Sequence, residues 1–318
     1  MTAALTHQTF EPAQHAGACE LLPGIVGDSP PMRQVSRLVR RCAERDIPTL
    51  IRGETGTGKE LVAHALHDLG PRRRERYVAI NGATLTDELG AAALFGHVRG
   101  AFTGAEDRRG ALRTAHRGTV FIDEVAALSP RMQAMLLRVL EEGLVRPLGS
   151  DLEEAVDVRV VSATCEPLER FVREGAFRAD LFQRLATCVV SLPPLRERRG
   201  DIPLLVGRVL HDTGMSQYRV DDEALALLAA EPLPGNVREL RNVLMQASLQ
   251  VDGRLICGET MQAVLQCRGG APHSLRQPVT AESAHALLRA HDGNVSAAAR
   301  AAGLPRSTFR DRLRRLDD

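Results

Sequence analysis

The stretch Thr49-Leu50-Ile51-Arg52-Gly53-Glu54-Thr55-Gly56-Thr57-Gly58-Lys59-Glu60-Leu61-Val62-Ala63 decides how this chain is read. Its first four residues are a short apolar run of the kind a buried strand carries, and from Leu61 onward the apolar positions recur with helical spacing. Between the two, glycines at 53, 56 and 58 let the backbone turn back on itself with its N–H groups pointing inward, and the following helix adds its positive N-terminal end. The natural guest of such a loop is a polyphosphate, with Lys59 neutralising its β- and γ-phosphates. Gly53 to Lys59 keep the spacing of the generic phosphate loop, but Glu60 replaces the Ser or Thr that usually reaches magnesium. The plainer alternative, a flexible turn ahead of a helix, is weakened by the strand and helix on either side.

Downstream, Thr119-Val120-Phe121-Ile122-Asp123-Glu124 reads as a buried strand that ends in two acids. Carboxylates at the C-terminal end of a strand in a parallel sheet lie where ligands bind, beside a phosphate loop. There Asp123 is suited to holding Mg2+ through water, and Glu124 to orienting or deprotonating an attacking water. Two solvated acids opening the next helix are the simpler alternative for an isolated pair.

Strand-like runs at 49–52, 77–81, 118–123, 158–163 and 188–192 alternate with helical patterns, which predicts an α/β fold with a parallel sheet covered by helices. After Pro193-Pro194 the strands stop. Helices are expected over 202–211, 222–230, 237–251 and 258–266, a small helical lid. The expected parts are a short flexible tail at 1–22, an α/β subdomain at 23–195, the lid at 196–267, a Gly/Pro-containing linker at 268–279 and a small helical module at 280–318. With 318 residues, 44% hydrophobic and 25% charged, the chain has the composition of an ordinary globular protein. A net charge of +1 means that any nucleic-acid contact must come from local clusters of Arg. Cys19, Cys42, Cys165, Cys188, Cys257 and Cys267 show neither a CxxC pair nor zinc-ligand spacing, so no disulfide framework and no structural zinc are expected. No apolar run is long enough to span a bilayer and no signal pattern opens the chain, which points to the cytoplasm and away from the membrane.

The loop Gly53–Glu60, the strand Thr119–Val125 and above all Gly100-Ala101-Phe102-Thr103-Gly104-Ala105 resemble the central AAA+ domain of the sigma-54-dependent transcriptional activators, over about residues 25–266. Glu normally follows the loop Lys in that family, so Glu60 fits it. The resemblance implies ATP and Mg2+ as cofactors, with Gly53, Glu54, Thr55, Gly56, Thr57, Gly58, Lys59 and Glu60 around the nucleotide. It also implies a homo-oligomeric ring, a hexamer built from dimers, with ATP between neighbouring subunits. Residues 100 to 105 would be the loop that meets sigma-54 RNA polymerase, Phe102 and Thr103 touching it. On chemistry alone the hexapeptide suits either a mobile tip that inserts Phe102 into a partner or a Gly-rich turn with Phe102 facing the core.

By the same resemblance, Arg178 and Arg184 are the fingers that reach a neighbour's γ-phosphate, which makes hydrolysis depend on assembly. Arg238, in Pro234-Gly235-Asn236-Val237-Arg238, reaches the nucleotide from the lid. Asn81 holds Glu124 aside until the partner is engaged, and Pro194 to Pro203 form the hinge into the lid. There are three departures. Cys165 stands where the family usually has an Asn that senses γ-phosphate, Ala91-Ala92-Ala93 replace polar residues, and Leu233 replaces an aromatic.

At the C-terminus, helical patterns flank Asp292-Gly293-Asn294 and Gly303-Leu304-Pro305, and Ala297, Ala298, Ala299 and Ala301 allow close helix approach, as in helix-turn-helix construction. The last helix offers Arg306, Ser307, Thr308, Arg310, Arg312 and Arg314 to phosphates and base edges. It resembles the Fis-type module of the same activators. A basic helix with a solvated face is the plain alternative. Only 3% of residues are aromatic, which favours double-stranded DNA at an upstream activating site over a single-strand stacking platform.

Two functional expectations follow. One is a nucleoid-associated ATPase that converts a sigma-54 RNA polymerase closed complex to an open one. The other is a repressor or non-sigma-54 activator that binds DNA and ATP but hydrolyses it weakly, as Cys165 and Ala91–Ala93 would favour. The short tail leads to the expectation that control comes from a separate regulatory protein or from expression level.

Overall fold

The computed structural model describes residues 9–10, 20–85, 87–102, 105–268 and 288. Five parallel strands, β1 (Thr49–Arg52), β2 (Tyr77–Asn81), β3 (Thr119–Asp123), β4 (Arg159–Thr164) and β5 (Cys188–Ser191), form one sheet in the order β5-β1-β4-β3-β2. Along each strand successive side chains leave opposite faces. Leu50, Val120, Ile122 and Val160 enter one core, and Ile51, Phe121, Val161, Ala163 and Val190 enter the other. Burial on both faces is why the strands read as continuous apolar runs. Complete burial of a side chain the size of Phe121 or Leu50 contributes about 1.5–3 kcal/mol.

Helices α1 (Pro30–Ala43) and α2 (Lys59–Asp68) cover one face through Val35, Val39, Val62 and Leu66, while α3 (Pro130–Glu142) covers the other through Met132 and Leu136. The ends of α3 are set locally. Ser129 Oγ accepts the Met132 N–H at 3.4 Å, Pro130 fixes the first turn, and Gly143 ends the helix at φ +67°. A short helix α4 (Ala179–Leu185) packs on this side of the sheet through Leu181 and Leu185.

The lid contains α5 (Ile202–Asp212), α6 (Asp222–Ala230), α7 (Asn236–Ser248) and α8 (Gly258–Arg268), close to the expected helices. Asp221 caps two of them, Oδ1 accepting the Ala224 N–H at 2.7 Å and Oδ2 the Gly258 N–H at 3.2 Å. Asp201, almost fully buried at the lid's entrance, is the acceptor at the start of α1. Its Oδ1 takes the N–H groups of Asp28 and Ser29 at 2.7 and 2.8 Å, and its Oδ2 takes the Ser29 hydroxyl at 2.7 Å. The contacts divide the chain into units 1–264 and 265–318.

The described residues of the period-free stretch form short strands: Thr9–Phe10 pairs antiparallel with Arg219–Asp221, which pairs parallel with Leu255–Ile256, and Glu20–Leu22 pairs with Ile25–Val26. Strands of two or three residues are too short to show alternation in a sequence. One expectation, that of no disulfide, is corrected. Cys42, at the end of α1, and Cys188, which opens β5, form a disulfide with Cα atoms 6.9 Å apart. Their separation of 146 residues carries no sequence signal; the fold alone brings the helix end to the edge strand. Cys165, Cys257 and Cys267 are free. Among the described residues no helix is long and apolar enough to cross a membrane. Apart from residue 288, the C-terminal helical module, with Arg306, Ser307, Thr308, Arg310, Arg312 and Arg314, lies outside the described residues, as does the linker from 269 to 279.

Candidate nucleotide-binding site

The parallel sheet aligns its strand ends: Arg52 pairs with Thr164 and Ser191, and Asn81 with Asp123. The residues just beyond them, Gly53, Glu124 and Cys165, therefore gather at one edge. Here a cleft of about 540 Å³ opens between the phosphate loop, Asp123 and Glu124 on one side and Arg238 and Arg241 of the lid on the other. That volume lies within the range of small-ligand sites.

The loop has the conformation its glycines allow. Gly56 and Gly58 sit at φ +79° and +103°, Gly58 directly preceding α2, and Thr57 Oγ1 donates to Glu54 O at 2.7 Å. A Cβ on Gly56 would stand 2.2 Å from Gly235 O, so only glycine lets the lid come this close. Glu60 follows in the first turn of α2 and lines the cleft, as do Thr55 and Arg238.

Lys59 is largely buried. Its Nζ donates to Gly53 O at 3.0 Å and lies 3.4 Å from Glu124 Oε1. Glu124 sits in the left-handed region at φ +49°, and its Oε2 accepts both the Cys165 N–H at 3.2 Å and the Cys165 thiol at 3.3 Å. Burial pushes the Cys165 thiol upward, the Glu124 carboxylate beside it adds to this, and Lys59 and Thr55 oppose it. Burial likewise raises the Asp123 carboxyl, reinforced by the charge of Glu124 and opposed by Lys59. Asp123 Oδ1 accepts the Glu124 N–H at 3.0 Å. Asn81 does not tether Glu124 as expected. Its Oδ1 caps a short turn by accepting the Ala83 N–H at 2.9 Å, and Lys59 and Cys165 hold Glu124 instead.

The lid side contains residues that the sequence reading did not single out. Asn236 is 1% exposed and bonds to the loop, the hinge and its own turn. Glu54 is paired with Arg196, Oε1 lying 2.7 Å from Nη2, and this bond holds its carboxyl below the usual range. Buried Arg198 donates to Thr57 O at 3.0 Å, and burial lowers its guanidinium pKa. For Asn236 the sequence carries the turn alone: an Asn that follows Gly235 and opens the helix tolerates the left-handed conformation, here φ +54°, but its partners show only in the fold.

Away from the cleft, Arg178 and Arg184 are exposed and paired within the chain, Arg178 with Asp180 at 2.7 Å and Arg184 with Glu141 at 3.0 Å. The bond from Arg178 lowers the Asp180 carboxyl to about 2. Of the hexapeptide, Thr103 and Gly104 lie outside the described residues. Gly100 N–H donates to Ala105 O at 3.2 Å and Ala105 N–H to Phe102 O at 3.0 Å, while half-buried Phe102 packs on His97 with ring centres 4.9 Å apart. The base of this loop is joined to a second one by Val98 N–H to Leu148 O at 3.0 Å and Leu148 N–H to Gly96 O at 2.9 Å. Ala91 and Ala92 are buried in the helix that leads to it.

Residues 25–191 match the Sigma-54 interaction domain family, 196–278 the AAA+ ATPase lid domain family, and 285–316 the Fis family of bacterial regulatory proteins. The chain is 41% identical to the hydrogenase transcriptional regulatory protein HoxA of Cupriavidus necator, over 90% of its own length and 64% of HoxA. It is 39% identical to the DNA-binding transcriptional regulator NtrC of Azospirillum brasilense, over 96% of its own length and 63% of NtrC. It thus spans a little under two thirds of the length of these relatives. The crystal structure of NtrX from Brucella abortus in complex with ATP superposes with a TM-score of 0.68 at 33% identity, over 92% of this chain and 69% of that one. With the phosphate loop, the paired acids and the lid in place, the chain belongs to the sigma-54 interaction domain family, an AAA+ P-loop fold with a helical lid and a Fis-type helix-turn-helix region.

Proposed function

We propose that this chain binds ATP with Mg2+ in the cleft, hydrolyses it, and uses the cycle to convert a sigma-54 RNA polymerase closed complex to an open one while residues 280–318 hold double-stranded DNA at an upstream activating site. The observation that carries the reading is the clustering of Lys59, Asp123 and Glu124 at the sheet's C-terminal edge, facing Arg238 across the cleft. Gly53, Thr55, Gly56 and Gly58 shape the cradle, and Lys59 exchanges its contact with Gly53 O for phosphate oxygens. Asp123 fits a cation site of the magnesium type. It is a desolvated carboxylate beside a second acid in the cleft, and it would hold the cation through water. Bound there, Mg2+ would supply charge neutralisation of the phosphates.

Glu124 polarises the attacking water, with Cys165 fixing one of its oxygens. Arg178 and Arg184 serve a neighbouring subunit's nucleotide in a hexameric ring, and residues 100 to 105, carrying Phe102 and Thr103, meet sigma-54. The protein then works in the cytoplasm, at the nucleoid. Steady-state ATPase activity per subunit that rises with protein concentration, together with ATP-dependent open-complex formation on a sigma-54 promoter, is the expected result. Hydrolysis without promoter melting would sink the polymerase part of the reading. The second reading, an ATP- and DNA-binding regulator with weak hydrolysis, draws on the thiol at position 165, a weaker hydrogen-bonding group than an amide. Strong DNA binding with negligible turnover would favour it.

A further inference from the structure

Asn236 sits at the first turn of α7, buried and in the left-handed region at φ +54°. Its Oδ1 accepts the Leu195 N–H from the hinge at 2.6 Å. Its Nδ2 faces three oxygens: Thr55 O at 3.0 Å, Pro234 O at 3.1 Å and Glu54 Oε2 at 3.2 Å. The opposite amide orientation would set its oxygen against three acceptors and its NH2 against a donor, so the arrangement admits one orientation only. Next to it, Val237 N–H donates to Gly56 O at 3.0 Å. The lid thereby takes up the carbonyls of both Thr55 and Gly56. In a trans peptide the N–H points opposite to the C=O, so anchoring Thr55 O turns the Gly56 N–H away from the lid contact. Arg196 holds the remaining arm of the same network through Glu54.

We infer that Asn236 is the positioning residue that couples the phosphate loop to the lid and hinge, and that it sets nucleotide affinity by keeping the loop backbone in its anion-accepting shape. It touches no nucleotide; it acts through the backbone of Thr55 and Gly56 and the carboxylate of Glu54. The inference rests on the nucleotide reading of the cleft and deepens it. Arg238 meets the ligand from the lid, whereas Asn236 decides where lid and loop stand relative to each other.

The test is ADP binding by the full chain, measured by calorimetry, for wild type and two substitutions that tolerate positive φ. Asn236→Gly removes the amide and keeps the turn; Asn236→Asp keeps the size, loses the donors and places a second carboxylate beside Glu54. The expected outcome is about tenfold weaker ADP binding for Asn236→Gly, the scale of one buried hydrogen bond to a polar group. Asn236→Asp should bind weaker still, and Glu54→Gln in the same chain should recover part of that loss. A purely structural role would lower the thermal midpoint and leave the affinity of the folded protein, and its dependence on Glu54, unchanged. If wild type binds ADP and both variants bind it within twofold, the inference is overturned alone. If wild type itself fails to bind, and Lys59→Ala behaves no differently, the nucleotide reading falls and the inference falls with it.

Discussion

Replacing Cys165 with Ala isolates one link of the proposed hydrolytic site. The Glu124 Oε2 has two donors from this residue, the backbone N–H at 3.2 Å and the thiol at 3.3 Å, and the substitution removes only the second. A hydrogen bond to a charged acceptor is worth about 1.5–3 kcal/mol for a good donor; a thiol is a poor one, which places the loss at about 0.5–1 kcal/mol. If that bond orients Glu124 in the transition state, kcat falls roughly two- to fivefold. KM for ATP should stay within about twofold, because the loop backbone and Lys59 keep their contacts and only the side-chain bond between the thiol and Thr55 is lost on that side. The pH profile gives an independent readout. The thiol is held above its ordinary 9.0, so it remains a donor throughout the neutral range and the gap between wild type and Cys165→Ala stays constant there. Above the thiol's own pKa the donor is lost and a thiolate faces Glu124, so wild type should fall below the alanine variant. Cys165→Ser, which restores a hydroxyl donor, should recover kcat. Coupled-assay kinetics over this pH range decide it: an alanine variant with wild-type kcat near neutrality, or a serine variant no better than alanine, refutes the role assigned to the thiol.

Asp123→Asn should abolish Mg2+-dependent hydrolysis yet raise the melting temperature of the nucleotide-free protein by about 1–3 °C at neutral pH. The sign follows from the raised carboxyl. The ionised form is disfavoured in the folded state, so it weakens the fold above its native pKa, and the variant's advantage disappears as pH falls through that value towards 3.8. Gly56→Ala should weaken ATP binding more than tenfold and lower the melting temperature, since its Cβ meets Gly235 O at 2.2 Å on a backbone at φ +79°; tight binding measured by calorimetry would contradict the close approach of the lid. Asp201→Ala leaves two N–H groups and the Ser29 hydroxyl without their acceptor and should cost about 2–4 kcal/mol in urea unfolding, a loss under 1 kcal/mol being incompatible with that network.

What the sequence made legible was local. Each sheet strand is an apolar run bounded by polar or Gly residues, and each expected strand lies within a residue or so of the observed one, because burial on both faces leaves a continuous signal. The phosphate loop was legible because its glycines must be contiguous in the chain to curve one backbone. The tethers of Glu124 were not: Lys59 and Cys165 meet it only through the 5-1-4-3-2 order of the sheet, which places Arg52, Asp123 and Thr164 at one edge. Asn81 matched by position, but its Oδ1 takes the Ala83 N–H two residues on, a local bond that Asn side chains form readily, and among the described residues no hydrogen bond runs from its Nδ2 to the Glu124 carboxylate. Asp201 and Asn236 escaped for a related reason. Their partners lie 172 and 181 residues away, and a buried polar residue announces itself only when its acceptors are known.

Three of the cations that the reading assigns to the phosphates are engaged by groups of the chain itself in this structure. Lys59 stands between Gly53 O and Glu124, Arg178 is paired with Asp180, and Arg184 with Glu141. The two arginine pairs are solvent-exposed, where such contacts contribute little, so a neighbouring subunit's phosphate would displace the carboxylates at small cost. The lysine pair differs because Lys59 is largely buried, and its attraction to Glu124 is correspondingly less screened. A polyphosphate that draws Lys59 away therefore removes one of the tethers on Glu124 and leaves the Cys165 donors as its remaining anchor. On the proposed function, binding and activation of the acid become one event: the charge that would recognise the ligand is the charge that restrains the base, and loop, lid and acid would respond together because Lys59 and the carbonyls of Thr55 and Gly56 belong to the same turn of backbone.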